Sequence, residues 1–239
     1  MTEAEWLSEP NFAVLIQHVE LRASARKLRL LAAAFCRSAG SLLDHPELLA
    51  SVDAIERYAD GATTAAELEK ARSHARIVAV QAYEKYVRWS ETAVREGANP
   101  MVQHQVAWAV AFAGTTPLPV SAVGTRMGEA VASSAGANTD ILAETVVSQE
   151  FLPTLRAAVW DVFGNPFNPV RFESAWRTEA VTALASQMYE SRDFAAMPKL
   201  ADALEKAACN DSTVLSYCRD AKAPHFRGCW VLDGLLGKE

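Results

Sequence analysis

The chain has 239 residues, half of them hydrophobic and 22% charged, with a net charge of −6 and a pI near 5.5. That composition is globular rather than disordered, and its acidic balance argues against a general binder of nucleic acid or anionic membrane. The most apolar run, Val106 to Ala113, is far shorter than the roughly 20 residues that span a bilayer, and Gly114, Pro117 and Pro119 break the pattern beyond it.

In chain order, Thr2-x-x-Glu5 fits a capping box, in which a hydroxyl and a carboxylate satisfy the first backbone N–H groups reciprocally; it predicts a helix over 3–8. The same acidic start is the opposite of a leader's positive n-region, so a cytoplasmic chain is expected. Helices follow over 12–22, 25–43 and 47–59, with Ser24 as an N-cap and Asp60-Gly61 as a stop. A second capping box, Thr64-x-x-Glu67, opens one long central helix near 65–96. Its Leu68, Ala71, Ala75, Val78, Ala82, Tyr86, Trp89 and Ala93 recur in steps of three and four, and Gly97 with Asn99-Pro100 ends it.

A short apolar helix over 101–113 leads into 114–138, which holds four glycines and two prolines and reads as a linker or loop with one weak helix. Helical pattern resumes at Thr139, bends at Pro153 and runs to Phe163, where Gly164, Pro166 and Pro169 forbid continuation. Phe163, Phe167 and Phe172 should pin this turn to a core. Four short helices close the chain, near 175–191, 196–208, 212–219 and 226–236. Alternating β-branched runs are missing, so the expected fold is an all-α multi-helix array or bundle of roughly nine to twelve helices. Its expected parts are an N-terminal helical half over 1–113, the 114–138 linker and a C-terminal helical half over 139–239, folding as one cooperative unit.

Two clusters carry candidate chemistry. Cys209, Cys218, His225 and Cys229 fall within 21 residues, and thiolates with imidazole are what a tetrahedral zinc site takes. Their spacing lacks a Cys-x2-Cys knuckle, so the plain alternative makes the cysteines small apolar core residues. A buried His225 or Asp233 would then need a partner, which Arg219 or Arg227 could supply. No cofactor is expected unless this cluster holds zinc. The second cluster is Arg22, Arg26, Lys27, Arg29 and Arg37. Arg22, Arg26 and Arg29 share a helix face that, with Arg37, could grip phosphates, nucleic acid or an acidic partner; otherwise these arginines form internal ion pairs with neighbours such as Glu20 and Glu56.

Catalytic motifs are missing. Ser24-x-x-Lys27 matches an acylating serine motif without its companion triplet, and no Gly-rich phosphate loop, Glu-x-x-His, Gly-x-Ser-x-Gly or His-Glu-x-x-His occurs. The six tryptophans, Trp6, Trp89, Trp108, Trp160, Trp176 and Trp230, are too scattered for one aromatic groove and read as core fillers, with any exposed pair marking a partner site.

Arg26-Lys-Leu-Arg-Leu-Leu-Ala-Ala-Ala-Phe-Cys-Arg37 and Glu56-Arg-Tyr-Ala-Asp-Gly61 resemble the N-terminal part of a large family of paralogous hypothetical proteins of planctomycete bacteria. Phe163-Gly-Asn-Pro-Phe-Asn-Pro-Val170, Leu200-Ala-Asp-Ala-Leu-Glu205 and His225-Phe-Arg-Gly-Cys-Trp-Val-Leu-Asp233 resemble its C-terminal part. The likeness is weakest over about 98–150. It implies one inherited unit, copied many times as an adaptor or regulatory module and sometimes joined to a short repeat-companion domain, and it brings no activity. The family often has His where this chain has Tyr217, a departure that weakens a shared metal site. The expectation is therefore a non-enzymatic helical interaction protein with a protein partner. The alternatives are a zinc-containing module or metal-dependent enzyme on the Cys/His cluster, and phosphate or nucleic-acid binding on the arginine helix.

Overall fold

In the computed structural model, which describes residues 1–91, 98–134, 151–220 and 222–238, the chain is all-α. Twelve α-helices are formed among the described residues, and no strand. They are α1 (Glu3–Ser8), α2 (Phe12–Glu20), α3 (Ala25–Ser38), α4 (Pro46–Ala59), α5 (Ala65–Ser90), α6 (Pro100–Ala113), α7 (Val120–Ser134), α8 (Leu152–Phe163), α9 (Glu179–Ser191), α10 (Met197–Lys206), α11 (Ser212–Arg219) and α12 (Trp230–Leu236). The chain divides into two compact units, Pro10–Arg156 on the one hand and Met1–Glu9 with Ala157–Glu239 on the other.

The helix ends follow from local chemistry. Both capping boxes form, with Thr2 and Thr64 accepting from the N–H of Glu5 and Glu67 and those carboxylates reaching back. Ser24 caps α3 through the Lys27 N–H, and Asn99 caps α6 with Pro100 in its first turn. Gly61 and Gly164 follow their helices at positive φ. Several ends differ from expectation: α3 stops at Ser38, with a separate 3-10 turn at Gly40–Leu42, and α9 begins at Glu179 after a 3-10 turn at Ser174–Trp176. Pro153 sits in the first turn of α8, where its missing N–H costs nothing, so among the described residues it opens a helix rather than bending one. The final helix starts at Trp230 and not near residue 226, because Gly228 turns the chain at φ 89° and Cys229 takes the N-cap position. The expected ends at 92–96 and the start at 139–150 lie outside the described residues.

Within Pro10–Arg156, α6 is the centre. Val106, Ala107, Ala109, Val110, Ala111 and Ala113 are all buried, and α3, α4, α5 and α7 pack around them. The remaining face, His104, Trp108 and Phe112 at four-residue steps, is part-buried.

The 114–138 stretch corrects the linker reading. Residues Val120–Ser134 form a regular, well-buried helix, α7, and the division between units falls at Arg156 instead. Its glycines mark close packing rather than a loop: a Cβ on Gly124 would lie 2.6 Å from Cε2 of Phe12, so only glycine lets that ring approach.

The other unit gathers α1 and the helices after Ala157 around a core that includes Trp176, Val181, Met188, Tyr189, Leu200, Leu204, Val214 and Leu232. Of the turn's phenylalanines, Phe172 is pinned between Trp176 and Trp230, with ring centroids at 6.2 and 5.9 Å, while Phe167 is exposed.

Candidate functional site

One face of α8 carries Ala157, Trp160 and Asp161, and one face of α11 carries Thr213, Ser216, Tyr217 and Asp220, both at helical three- and four-residue steps. With Trp6 and Leu7 of α1, Trp230 of α12 and the Ala223-Pro224 loop they line a pocket of about 450 Å³. Four of its walls are aromatic: Trp6, Trp160, Tyr217 and Trp230. Tyr217 and Trp230 pack with centroids 5.0 Å apart at 58°. Gly164, the residue after α8, adopts φ +62° directly beneath Trp230, where a Cβ would meet the indole at 3.0 Å. Both its backbone and the ring above it require glycine.

Behind these rings lies a polar lock. The Asp161 side chain is 3% exposed, and three donors converge on it. Tyr217 Oη–H donates to Oδ1, His225 Nδ1 lies 3.0 Å from that same oxygen, and the Phe226 N–H donates to Oδ2 at 2.8 Å. Burial pushes the Asp161 carboxyl above the ordinary carboxylate range, and the bonds from His225, Tyr217 and Phe226 pull it back. Burial, then the neighbouring Asp161 charge, raises the Tyr217 phenol well above its usual value. The His225 side chain is 6% exposed, and its Nε2 is buried with no hydrogen-bond partner among the described residues.

The four sequence-predicted metal ligands separate into two pairs. Cys209 and Cys218 lie close enough for the charge of one to raise the other, and both belong to the apolar core, where burial pushes Cys218 up to about 12. His225 and Cys229 instead meet at Tyr217, whose hydroxyl hydrogen-bonds the Cys229 sulfur and lies 3.1 Å from His225 Nδ1. Burial raises the Cys229 thiol well above its usual value. Among the described residues no group of three or more His, Cys, Asp and Glu side chains is placed to hold a metal ion. The partner of His225 is Asp161, not an arginine: Arg219 bridges to Glu205 at 2.6 Å, and Arg227 lies over the Tyr189 ring at 4.4 Å.

The arginine helix turns its charges inward. Arg26 Nε donates to Asp60 at 2.9 Å, and Arg37 is shared between Asp53 and the buried Glu56. Arg29 is itself buried and donates to the Ala113 carbonyl at 3.0 Å and to the Thr115 carbonyl at 3.3 Å, tying α3 to the end of α6. Arg22 is exposed in the turn between α2 and α3, ahead of the Ser24 N-cap, and donates to the His18 carbonyl at 3.0 Å, so the helix face expected to join it to Arg26 and Arg29 does not form. These four guanidinium groups do not form one open anion-binding face, and the expected pairing with Glu56 is the one that forms.

Trp6 and Trp176 are buried core residues as expected, but the tryptophans are not all scattered, since Trp6, Trp160 and Trp230 converge on one pocket although 154 and 70 residues of sequence separate them. One cue was present: Asp161 is the one carboxylate of α8 and lies on the stretch of Leu155, Ala158, Val159 and Val162, where a carboxylate demands buried partners. No family model matches the chain, and no curated protein or solved structure is significantly similar to it.

Proposed function

We propose that this chain is a non-enzymatic helical interaction protein, and that the pocket framed by α1, α8, α11 and α12 is where it receives its ligand. The observation that carries this reading is the pocket itself, about 450 Å³ with Trp6, Trp160, Tyr217 and Trp230 as walls. Ligand sites are concave, mostly apolar and of about 300–1,000 Å³.

Catalysis fits the same residues poorly. In an Asp–His pair the free imidazole nitrogen does the proton transfer, and here that atom, His225 Nε2, has no access to a substrate. The thiols of Cys218 and Cys229 are buried and held protonated, which removes them as nucleophiles. The lock therefore serves to hold α8 and α11 as rigid walls. The resemblance to the planctomycete paralogues supports the reading in kind, as a module copied for different partners.

The test is a ligand-library screen read by tryptophan fluorescence, repeated on Ser216→Trp, which fills the mouth from an exposed position on α11. Hits should shift the spectrum of the native chain and be lost in the variant while its helical circular dichroism is retained. Turnover of a library compound, abolished by the same substitution, would overturn the proposal.

A further inference from the structure

The lining of this pocket has a definite chemical bias. It holds two carboxyl groups, Asp161 and Asp220, and no lysine, arginine or histidine. An anion entering it would meet like charge, and a neutral apolar guest would strip water from the exposed Asp220 carboxylate and return nothing for it. A cation is favoured on both counts, and it is favoured again by the walls, because the faces of tryptophan and tyrosine rings carry the negative lobe of their quadrupole.

Which cation follows from the hydrogen bonds already made. Asp161 takes three internal donors. Asn165 is committed at both ends, accepting from the Phe167 N–H at 3.0 Å and donating to Glu3 at 2.6 Å. The Ser216 hydroxyl donates to the Ser212 carbonyl at 2.5 Å, and Asp220 accepts from the Lys222 N–H at 2.9 Å. These polar groups of the lining are thus engaged within the protein. A primary ammonium or a guanidinium would give up its hydration without a full set of acceptors in exchange. A quaternary ammonium has no N–H to satisfy and is held by ring faces and by the field of nearby carboxylates alone.

We infer that the pocket recognises a trimethylammonium group, carried either by a small molecule of the choline type or by a trimethylated lysine side chain. The inference rests on the reading of this pocket as the binding site and names the chemistry it selects. Trp160, Tyr217 and Trp230, which are part-exposed, face the methyl groups, with the buried Trp6 completing the wall, and Asp220 at the rim with Asp161 behind Tyr217 supplies the opposing charge.

The experiment is a titration of the full chain, followed by tryptophan fluorescence and by calorimetry. The probes are choline, its neutral carbon isostere 3,3-dimethyl-1-butanol, ethanolamine, and two peptides differing only in a lysine or a trimethyllysine. Saturable binding of choline or of the trimethyllysine peptide is expected, with the isostere and ethanolamine weaker by about tenfold or more. Whichever trimethylated probe binds more tightly identifies the source. Asp220→Asn, an exposed position that leaves the fold intact, should weaken the trimethylated probe and leave the isostere unchanged, and Trp160→Phe should weaken it less than Trp160→Leu. Equal binding of choline and its isostere would overturn the cation inference while leaving the pocket as a binding site. No saturable response to either trimethylated probe at millimolar concentration overturns it as well. Library hits that survive Ser216→Trp would overturn the site itself.

Discussion

The two units of this chain are built by different means. Pro10–Arg156 is a continuous stretch in which α2 to α6 are capped by their own neighbours and the helices pack mostly on others close in sequence, α5 on α6, α6 on α7, α4 on α5. The unit of Met1–Glu9 with Ala157–Glu239 joins the first nine residues to the last third of the chain, and its polar centre links Asp161 to partners 56 and 64 positions away. The first arrangement closes through local contacts, and the second only once distant segments have met. The candidate site belongs to the second. A pocket needs walls from several elements, and an assembly of distant pieces supplies them.

The comparison is open to attack at its strongest point first. Asp161→Ala removes the acceptor of three buried donors and should cost about 3–5 kcal/mol, the range for breaking a buried charged network. Chemical denaturation would measure it, and an unchanged midpoint would mean that the long-range lock does not hold this unit together. Substituting one glycine in each unit comes next. Gly234→Ala drives a Cβ into the ring of Phe172, already held by Trp176 and Trp230, and Gly124→Ala drives one to 2.6 Å from Phe12. Overpacking of this kind costs about 1–3 kcal/mol, and Gly234→Ala should be the more damaging of the two. The reverse order in thermal melts would count against the tight packing at Phe172.

A smaller effect tests the local side of the comparison. Thr64→Ala deletes the cap of α5 and should lower stability by about 1 kcal/mol, with Thr64→Ser restoring it. The smallest expected effect is none. Dialysis against a chelator should leave the melting temperature unchanged, and Cys36, Cys218 and Cys229 should resist a thiol reagent at neutral pH until denaturant is added. Stoichiometric zinc in the native protein would bring the Cys/His cluster back together. Labelling of Cys218 in the folded chain would show that its burial, and its thiol pushed up to about 12, had been misjudged.

Most of the architecture was legible because helix signals are short-range. A Thr and a Glu three residues apart satisfy each other's N–H groups whatever the rest of the chain does, and a glycine at positive φ ends a helix wherever it stands. The same habit of reading locally misled at α7. Gly124 and Gly128 weaken a helix by propensity, and only the neighbouring Phe12 and Phe35 rings explain why glycine at 124 is worth that cost. The arginines of α3 show the limit from the other direction. That Arg26 and Arg29 lie one turn apart was visible, but that Ser24 would start the helix after Arg22, and that Asp60, Asp53, Glu56 and the Ala113 carbonyl would come to meet the others, was not.

By itself, then, the amino-acid sequence determined the all-α class and the position of many helix ends, since each depends on residues within a few turns of one another. The tertiary structure alone decided where the chain divides, that Tyr217 and not a metal gathers His225 and Cys229, and that Trp6, Trp160 and Trp230 face a common pocket. Those outcomes depend on contacts between segments far apart in the chain. Such contacts leave no periodicity to read, because loop closure carries an entropic cost that only the completed core repays.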